Sequence, residues 1–262
     1  MTASVRPGAV EVVRAGALTT VQDEGRAGLA HLGVGRAGAL DAPAAALANR
    51  LVGNPVTAAV LETTVTGCAV RPDRAVRVVV GGAPCRVTVD GRPVAWGAAV
   101  HVPAGAVLDA GPAVHGLRSY LAFAGGVAAD PVLGSRSADL LSGLGPAPLS
   151  AGDVLPLGPP PQAGAPPADA VPWPGAPGGP GNRIGLRTEG PPLERARAGE
   201  LPSEGMVLGA VQVPPDGRPV VFLNDHPTTG GYPVVGVVPE PALAAAAQAG
   251  AGTVVRFVRA GR

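Results

Sequence analysis

Lysine is missing from this chain altogether; all 20 basic side chains are arginine. That absence excludes a Schiff-base lysine, a phosphate-loop lysine and a lysine carrying covalently attached biotin. Aromatic residues make up 3% of the sequence, so cores have to be built from Val, Leu and Ala. The two cysteines, Cys68 and Cys85, stand outside any CxxC pair and away from histidine at ligand spacing. They are expected to be buried small hydrophobes, and no metal site is expected. Charged residues are 15% and the formal net charge is +1, which provides no broad basic field for nucleic acid or an anionic membrane. No apolar run is long enough to span a bilayer and no leader-like start is present, so a cytoplasmic protein is expected. G-x-S-x-G, H-E-x-x-H, Walker A and the Rossmann fingerprint are all absent.

What the chain does have is glycine (40), proline (31) and short β-branched runs, within 262 residues. This is enough for one large or two modest domains. Runs from Ala9, Leu18, Ala59, Arg77, Cys85, Val100, Ala106, Leu117 and Leu149 read as strands, and Asp90-Gly91 marks a hairpin. Asp41 reads as the N-cap of a short helix with Pro43 in its first turn and Gly53 past its end. Val132 to Leu140 reads as a loop passing into a short helix. Glu62, inside a strand, is expected to face water. Residues 159–181, dominated by Pro, Gly and Ala, are expected to link a β-rich domain over 1–158 to a second over 182–262. The segment Asp90-Gly91-Arg92-Pro93-Val94 recurs as Asp216-Gly217-Arg218-Pro219-Val220, which two related barrels would explain. The sequence therefore predicts a mostly β protein with few helices.

The second half is organised around GMVLGAVQVPPDGRPVVFLNDHPTTGGYPVVGVV, from Gly205 to Val238. It reads as strand, turn, strand, polar loop and strand. An Ala-rich helix from Ala242 to Gln248 and a last strand from Thr253 to Val258 are expected after it. A polar loop between two buried strands is a usual place for a site. His226 in that loop has the chemistry of an acid or base. The polar clusters 22–26, 36–41, 135–139 and 224–232 are expected to converge on one cleft.

TTVQDEGRAG (19–28), GALDAPAAALANRLVGNP (38–55), LGSRSADL (133–140), AGDVLPLG (151–158) and VQVPPDGRPVVFLNDHPTTGGYP (211–233) carry a resemblance that runs in order through most of the chain. They resemble the biotin-dependent carboxyltransferase-like family, which includes the C subunit of 5-oxoprolinase, the second allophanate-hydrolase-type subunit and a region of urea amidolyase. The resemblance implies two cyclophilin-like β-barrels. It also implies a place beside a homologous B subunit and an A subunit in an ATP-dependent 5-oxoprolinase, with ATP and magnesium in the assembled complex. The substrate class implied is a small lactam or amide. Other readings are a carboxyltransferase-type subunit that acts on urea or another amide with a separate biotin carrier, and a non-catalytic regulator of a homologous partner.

Within this frame Asp23, Arg26, Arg136 and Asp225 are the expected catalytic residues. Gln22, Asp41, Asn49, Ser137, Gln212, Thr228, Thr229, Gly230, Gly231 and Tyr232 are expected to bind substrate. The family's usual serine before Gly-Ala in the first-half loop is Ala37 here. Where the family has a long ordered segment, this chain has the Pro-Gly-Ala stretch at 158–181.

Overall fold

A computed structural model describes residues 8–161, 182–194 and 201–258. The expected linker therefore lies mostly outside the described residues. The first part runs β1 (Ala9–Arg14), β2 (Thr19–Gln22), a 3-10 turn (Ala30–Leu32), α1 (Ala42–Val52), β3 (Val60–Thr64), β4 (Cys68–Pro72), β5 (Val76–Gly82), β6 (Cys85–Val89), β7 (Arg92–Val94), β8 (Ala99–Val102), β9 (Leu108–Ala113), β10 (Arg118–Phe123) and β11 (Val154–Pro156). The remainder comprises β12 (Gly185–Arg187), β13 (Glu204–Gly205), β14 (Ala210–Gln212), β15 (Val220–Phe222), β16 (Thr229–Gly230), β17 (Val234–Val237) and α2 (Glu240–Gln248).

The first part forms two antiparallel sheets, in the orders β11-β1-β4-β9-β6-β7 and β2-β3-β10-β5-β8. They enclose one core of Val, Leu, Ala and Cys, with Phe123 as its one fully buried aromatic ring. A third layer, α1, covers the outer face of the five-stranded sheet. Period-2 alternation decides what each strand contributes. On β10, Leu121 and Phe123 enter the core between the sheets, while Tyr120 and Ala122 pack beneath α1. Val21 of β2 likewise enters the shared core, which turns Thr20 and Gln22 toward the α1 side.

The helix forms where the sequence signals it. Asp41 accepts a hydrogen bond from the Ala44 backbone N–H, and Gly53 closes the helix in a left-handed conformation at φ 86°. The second part builds a four-stranded sheet, β12-β15-β14-β17, over Leu186, Val211, Val221 and Ala249. The expected mostly β architecture with a few short helices is what is observed. Three local expectations fail. Residues 132–140 form turns and an isolated Val132–Ser135 bridge in place of a helix, because their polar groups bond across to β2 rather than along the chain. Residues 253–258 carry strand-forming side chains but pair with no strand among the described residues. Glu62 is buried; what holds it there is the ion network described below.

The cysteines behave as the composition implies. Cys68 has no exposed surface, and burial pushes its thiol up to about 12. Burial also raises Cys85. Both thiols should resist an aromatic disulfide reagent at pH 8 in the native protein and react together on unfolding in urea, because thiolate character and access govern the rate. Fast reaction of Cys68 in the native state would contradict this core.

Candidate functional site

Two hydrogen-bond networks meet where the second part of the chain docks on the first. At the end of β2, Asp23 accepts hydrogen bonds from the Ser135 hydroxyl (2.5 Å), the Ser137 hydroxyl (2.6 Å), the Arg136 backbone N–H (2.6 Å) and the Gly25 N–H (2.8 Å). Its own N–H donates to Ser137 Oγ. Arg26 donates from Nε to the Val132 carbonyl and from Nη2 to the Ser137 carbonyl. Next to them Gln22 Nε2 donates to Thr20 Oγ1 and to the Ala138 carbonyl. One carboxylate and one guanidinium thus fix the course of residues 132–138, and Arg136 is carried on that segment.

The second network is ionic and dry. Arg183 lies between Glu62, at 2.6 Å from Nη1, and Asp225, which takes Nε and Nη2 at 2.9 Å each. All three side chains are at most 1% exposed. Burial alone would push the Arg183 guanidinium down; the two carboxylates outweigh it and raise it, so it stays charged. Glu62 Oε2 also accepts from Tyr120 Oη and from the Leu40 N–H, and Asp225 accepts from the Leu140 N–H. Burial raises the Tyr120 phenol well above its usual range, and Glu62 adds to the effect, so Tyr120 remains a donor. Burial likewise raises Asp225, against the pull of Arg183.

Backbone completes the joint. Asn224 Nδ2 faces the carbonyls of Ala37, Gly38 and Ala39 at 3.1–3.2 Å, and the Ala37 N–H donates to the Asn224 carbonyl. Gly38 is obligatory here. It sits at φ 90°, and a Cβ would lie 2.9 Å from the Glu24 carbonyl. Ala37, where the family resemblance implies a serine, is itself left-handed at φ 52° and fully buried.

At the far side α2 locks in through Leu243 and Ala247, which pack on Leu40 and Leu223. Gln248 Nε2 donates to Asp41 Oδ2 and the Arg118 carbonyl, and its Oε1 accepts from the Leu117 and Arg118 N–H groups. Burial raises the Asp41 carboxyl, opposed by its bonds to Gln248 and Ala44. Gln248→Ala takes this partner from Asp41 Oδ2 and from the Leu117 and Arg118 N–H groups, while the Arg118 carbonyl keeps the Ala83 N–H, and each of the three losses costs on the order of 1–3 kcal/mol before relaxation. A urea melt should show a loss of about 3 kcal/mol; a change below about 1 kcal/mol would mean that α2 is held by its apolar face alone.

These placements sort the expected site residues. Gln22, Asp23, Arg26, Arg136 and Ser137 come together, and residues 36–41 and Asp225 adjoin them through Asn224 and Leu140. Arg26, 2% exposed, and Asp225, with no exposure, are built into the joint. Asp41 is a helix cap, buried and bonded as described. Asn49 is also structural: it donates to the Val56 and Ala58 carbonyls and accepts from Asn54, which ties down the chain after α1. The stretch 228–232 goes elsewhere. Gly230 pairs with Glu204, the Thr228 carbonyl accepts from Met206, the Gly231 carbonyl accepts from Leu201, and Thr229 pairs with Gly205. Gln212 Nε2 donates to the Tyr232 carbonyl. His226 is buried, with Nδ1 against the Pro227 carbonyl. Sequence reasoning missed Glu62, Tyr120, Arg183 and Gln248 as site residues, and Asn224 was placed only within the polar cluster 224–232. The signal for Glu62 was there, a lone acid within a β-branched run that needs a buried cation.

Between the joint and the two helices lies a cavity of about 510 Å³. Gln22, Leu40, Val60 and Asn224 line it together with Ala45 and Ala46 of α1, and α2 supplies Glu240, Leu243 and Ala244. Arg36 also lines it, paired with Glu240 at 3.2 Å. Both of those side chains reach solvent.

Comparison with known proteins gives one consistent result. The family model described as carboxyltransferase domain, subdomain A and B, matches residues 32–178 and 179–259. The 5-oxoprolinase C subunit of Escherichia coli is 36% identical over 283 residues, spanning 95% of this chain and 91% of that protein. The urea amidolyase of Lachancea kluyveri is 31% identical across 97% of this chain but only 17% of its own length. Among solved structures, TTHA0988 superposes with a TM-score of 0.83 at 35% identity, covering 94% of this chain and 55% of that one. The K. lactis urea amidolyase gives 0.85 at 27% identity, over 94% of this chain and 18% of that one.

Proposed function

The chain belongs to the carboxyltransferase-domain family, and from that premise we propose that it works as the C subunit of an ATP-dependent 5-oxoprolinase, which opens 5-oxo-L-proline to L-glutamate together with its A and B subunits. The observation that carries this reading is the near full-length match to the E. coli C subunit, in which both proteins are covered above nine-tenths. The larger urea amidolyases share only a segment of themselves with this chain.

The chemistry needs activation because a lactam carbonyl is a poor electrophile. Transfer of the ATP γ-phosphoryl group to the lactam oxygen releases ADP and leaves a carbon open to water. Water adds to that carbon, the ring C–N bond breaks as the nitrogen takes a proton to become the amine, and a second water hydrolyses the resulting acyl phosphate to glutamate and phosphate. This chain's share is positioning and charge. Arg136 is half-buried, and the fork of its guanidinium has the chemistry to meet a carboxylate or phosphate oxygen. Asp23 and Arg26 hold the segment that carries it and are positioning residues. Among the described residues no three His, Cys, Asp or Glu side chains are grouped to hold a metal ion. ATP and its magnesium are assigned to the assembled complex, where magnesium needs only one or two carboxylates beside the phosphates.

The test is glutamate formation from 5-oxoproline and ATP by the chain co-purified with its A and B subunits, compared with the same mixture lacking it. The expected result is activity only when this chain is present. A folded, assembled complex that makes no glutamate would move the assignment to a carboxyltransferase reaction on urea. The 31% identity to a urea amidolyase across 97% of this chain supports that second reading.

A further inference from the structure

Of the buried side-chain polar atoms without a partner among the described residues, one belongs to a residue lining the cavity beside α1 and α2: Gln22 Oε1. Gln22 is 0% exposed. Its amide orientation is fixed, because Nε2 donates to the Ala138 carbonyl at 3.1 Å and a carbonyl only accepts. The unpartnered atom is therefore an acceptor. An ionised carboxylate has no hydrogen to give it, whereas an amide N–H does. A buried acceptor left unfilled costs on the order of 1–3 kcal/mol, which a ligand N–H recovers on binding.

The rest of the wall is mixed: Asp23 and Glu24 bring carboxylates to it, and aliphatic side chains supply its apolar part. Leu40, Val60 and Ala45 are apolar and buried. Arg36, which also lines the cavity, is held by a carboxylate that is 72% exposed, and such a surface pair is weak and readily exchanged.

We propose that this cavity is the lactam subsite: the ring N–H donates to Gln22 Oε1, the methylenes lie on the alanine and valine wall, and the substrate carboxylate takes Arg36 from Glu240. This deepens the 5-oxoprolinase reading and rests on it for the identity of the lactam. It makes Gln22 and Arg36 specificity-determining residues with separate duties. Gln22 selects for a free N–H, and Arg36 selects for the carboxylate.

The probes are 5-oxo-L-proline, its N-methyl derivative and 2-pyrrolidinone, which lacks the carboxylate. Binding is measured by calorimetry to the full chain, alone and in the assembled complex. Wild type should bind 5-oxoproline at least tenfold more tightly than the N-methyl compound, and Gln22→Leu should abolish that ratio while binding 2-pyrrolidinone and its N-methyl form alike. Arg36→Gln should bring 5-oxoproline down to the level of 2-pyrrolidinone and keep the N-methyl discrimination. Ala46→Leu, which fills the cavity from a half-buried helix position, should weaken every probe. The proposal is overturned if wild type binds 5-oxoproline and its N-methyl form equally, if Ala46→Leu binds as wild type does, or if neither preparation binds 5-oxoproline. The two readings fail separately. A complex that makes no glutamate but shows the Gln22 and Arg36 discriminations keeps the subsite and loses the activity. A complex that makes glutamate with Ala46→Leu at unchanged KM keeps the activity and loses the subsite.

Discussion

Replacing Arg183 with methionine should destabilise the protein by about 3–5 kcal/mol, the range for removing one partner of a buried ion pair. The size follows from what remains. Glu62 and Asp225 are each at most 1% exposed, and Arg183 is the cation in hydrogen-bond contact with both. Without it, two carboxylates stay in a dry interior, where a charge is costly unless it is paired. The variant's remaining stability should then depend steeply on pH. Burial already raises Asp225, with Arg183 as the main opposing influence, so its loss raises that carboxyl further. A carboxyl whose pKa is higher in the folded than in the unfolded protein contributes stability that is full below the unfolded value and disappears as pH rises through the folded one. Urea melts of Arg183→Met should therefore show stability falling, relative to wild type, as pH rises above the ordinary carboxylate range. Adding Glu62→Gln and Asp225→Asn should restore a good part of the loss, since the amide oxygens can still accept from Tyr120, Leu40 and Leu140. A single variant within about 1 kcal/mol of wild type at neutral pH would remove the network from any account of how the two parts are joined.

The same network shows where sequence reading stops. Strands, hairpins and the α1 caps are legible because each is decided by neighbours in the chain: alternation for β10, Asp41 and Gly53 for the helix, Asp90-Gly91 for the β6–β7 turn. Glu62 and Arg183 are 121 positions apart, and nothing local to either names the other. A strand glutamate read alone belongs in water, and a partner from beyond a Pro-Gly-Ala stretch reverses that. The segment 132–140 departs from expectation for a related reason. Its serines have the local signature of a helix cap, but Asp23, more than 110 positions away in sequence, takes them first. The apolar run Thr253 to Val258 shows the opposite case, a strand-like pattern with no strand beside it among the described residues. In the candidate site, the motif Gln22-Asp23 was visible as a dense polar strand end. Both line the cavity; that Asp23 is also locked into the joint while Gln22 keeps an unfilled acceptor depended on side-chain partners far away in the chain.

Asp23→Ala should separate the positioning role from the chemistry. It removes the acceptor of four hydrogen bonds, from two hydroxyls and two backbone N–H groups. The site is partly open to water, so the freed groups can find solvent. A global loss of about 2 kcal/mol is expected, smaller than the sum of four charge-assisted bonds. The larger change should be local. Amide exchange at Gly25 and Arg136, whose N–H groups donate to the missing carboxylate, should speed up well beyond the global effect, while β5 and β10 keep their protection. In the assembled complex, turnover should fall on the order of a hundredfold, the scale expected when a binding group is displaced by about an ångström. Affinity for 5-oxoproline should change less, because Gln22 keeps Thr20 and Ala138 as partners. Asp23→Asn retains one oxygen, and Ser135→Ala with Ser137→Ala retains the carboxylate bond to the Arg136 N–H; both should fall between wild type and Asp23→Ala. If Asp23→Ala loses turnover while exchange at Gly25 and Arg136 is unchanged, Asp23 acts on the substrate itself and the positioning role assigned to it is wrong. If exchange rises and turnover is untouched, the segment that carries Arg136 takes no part in the reaction.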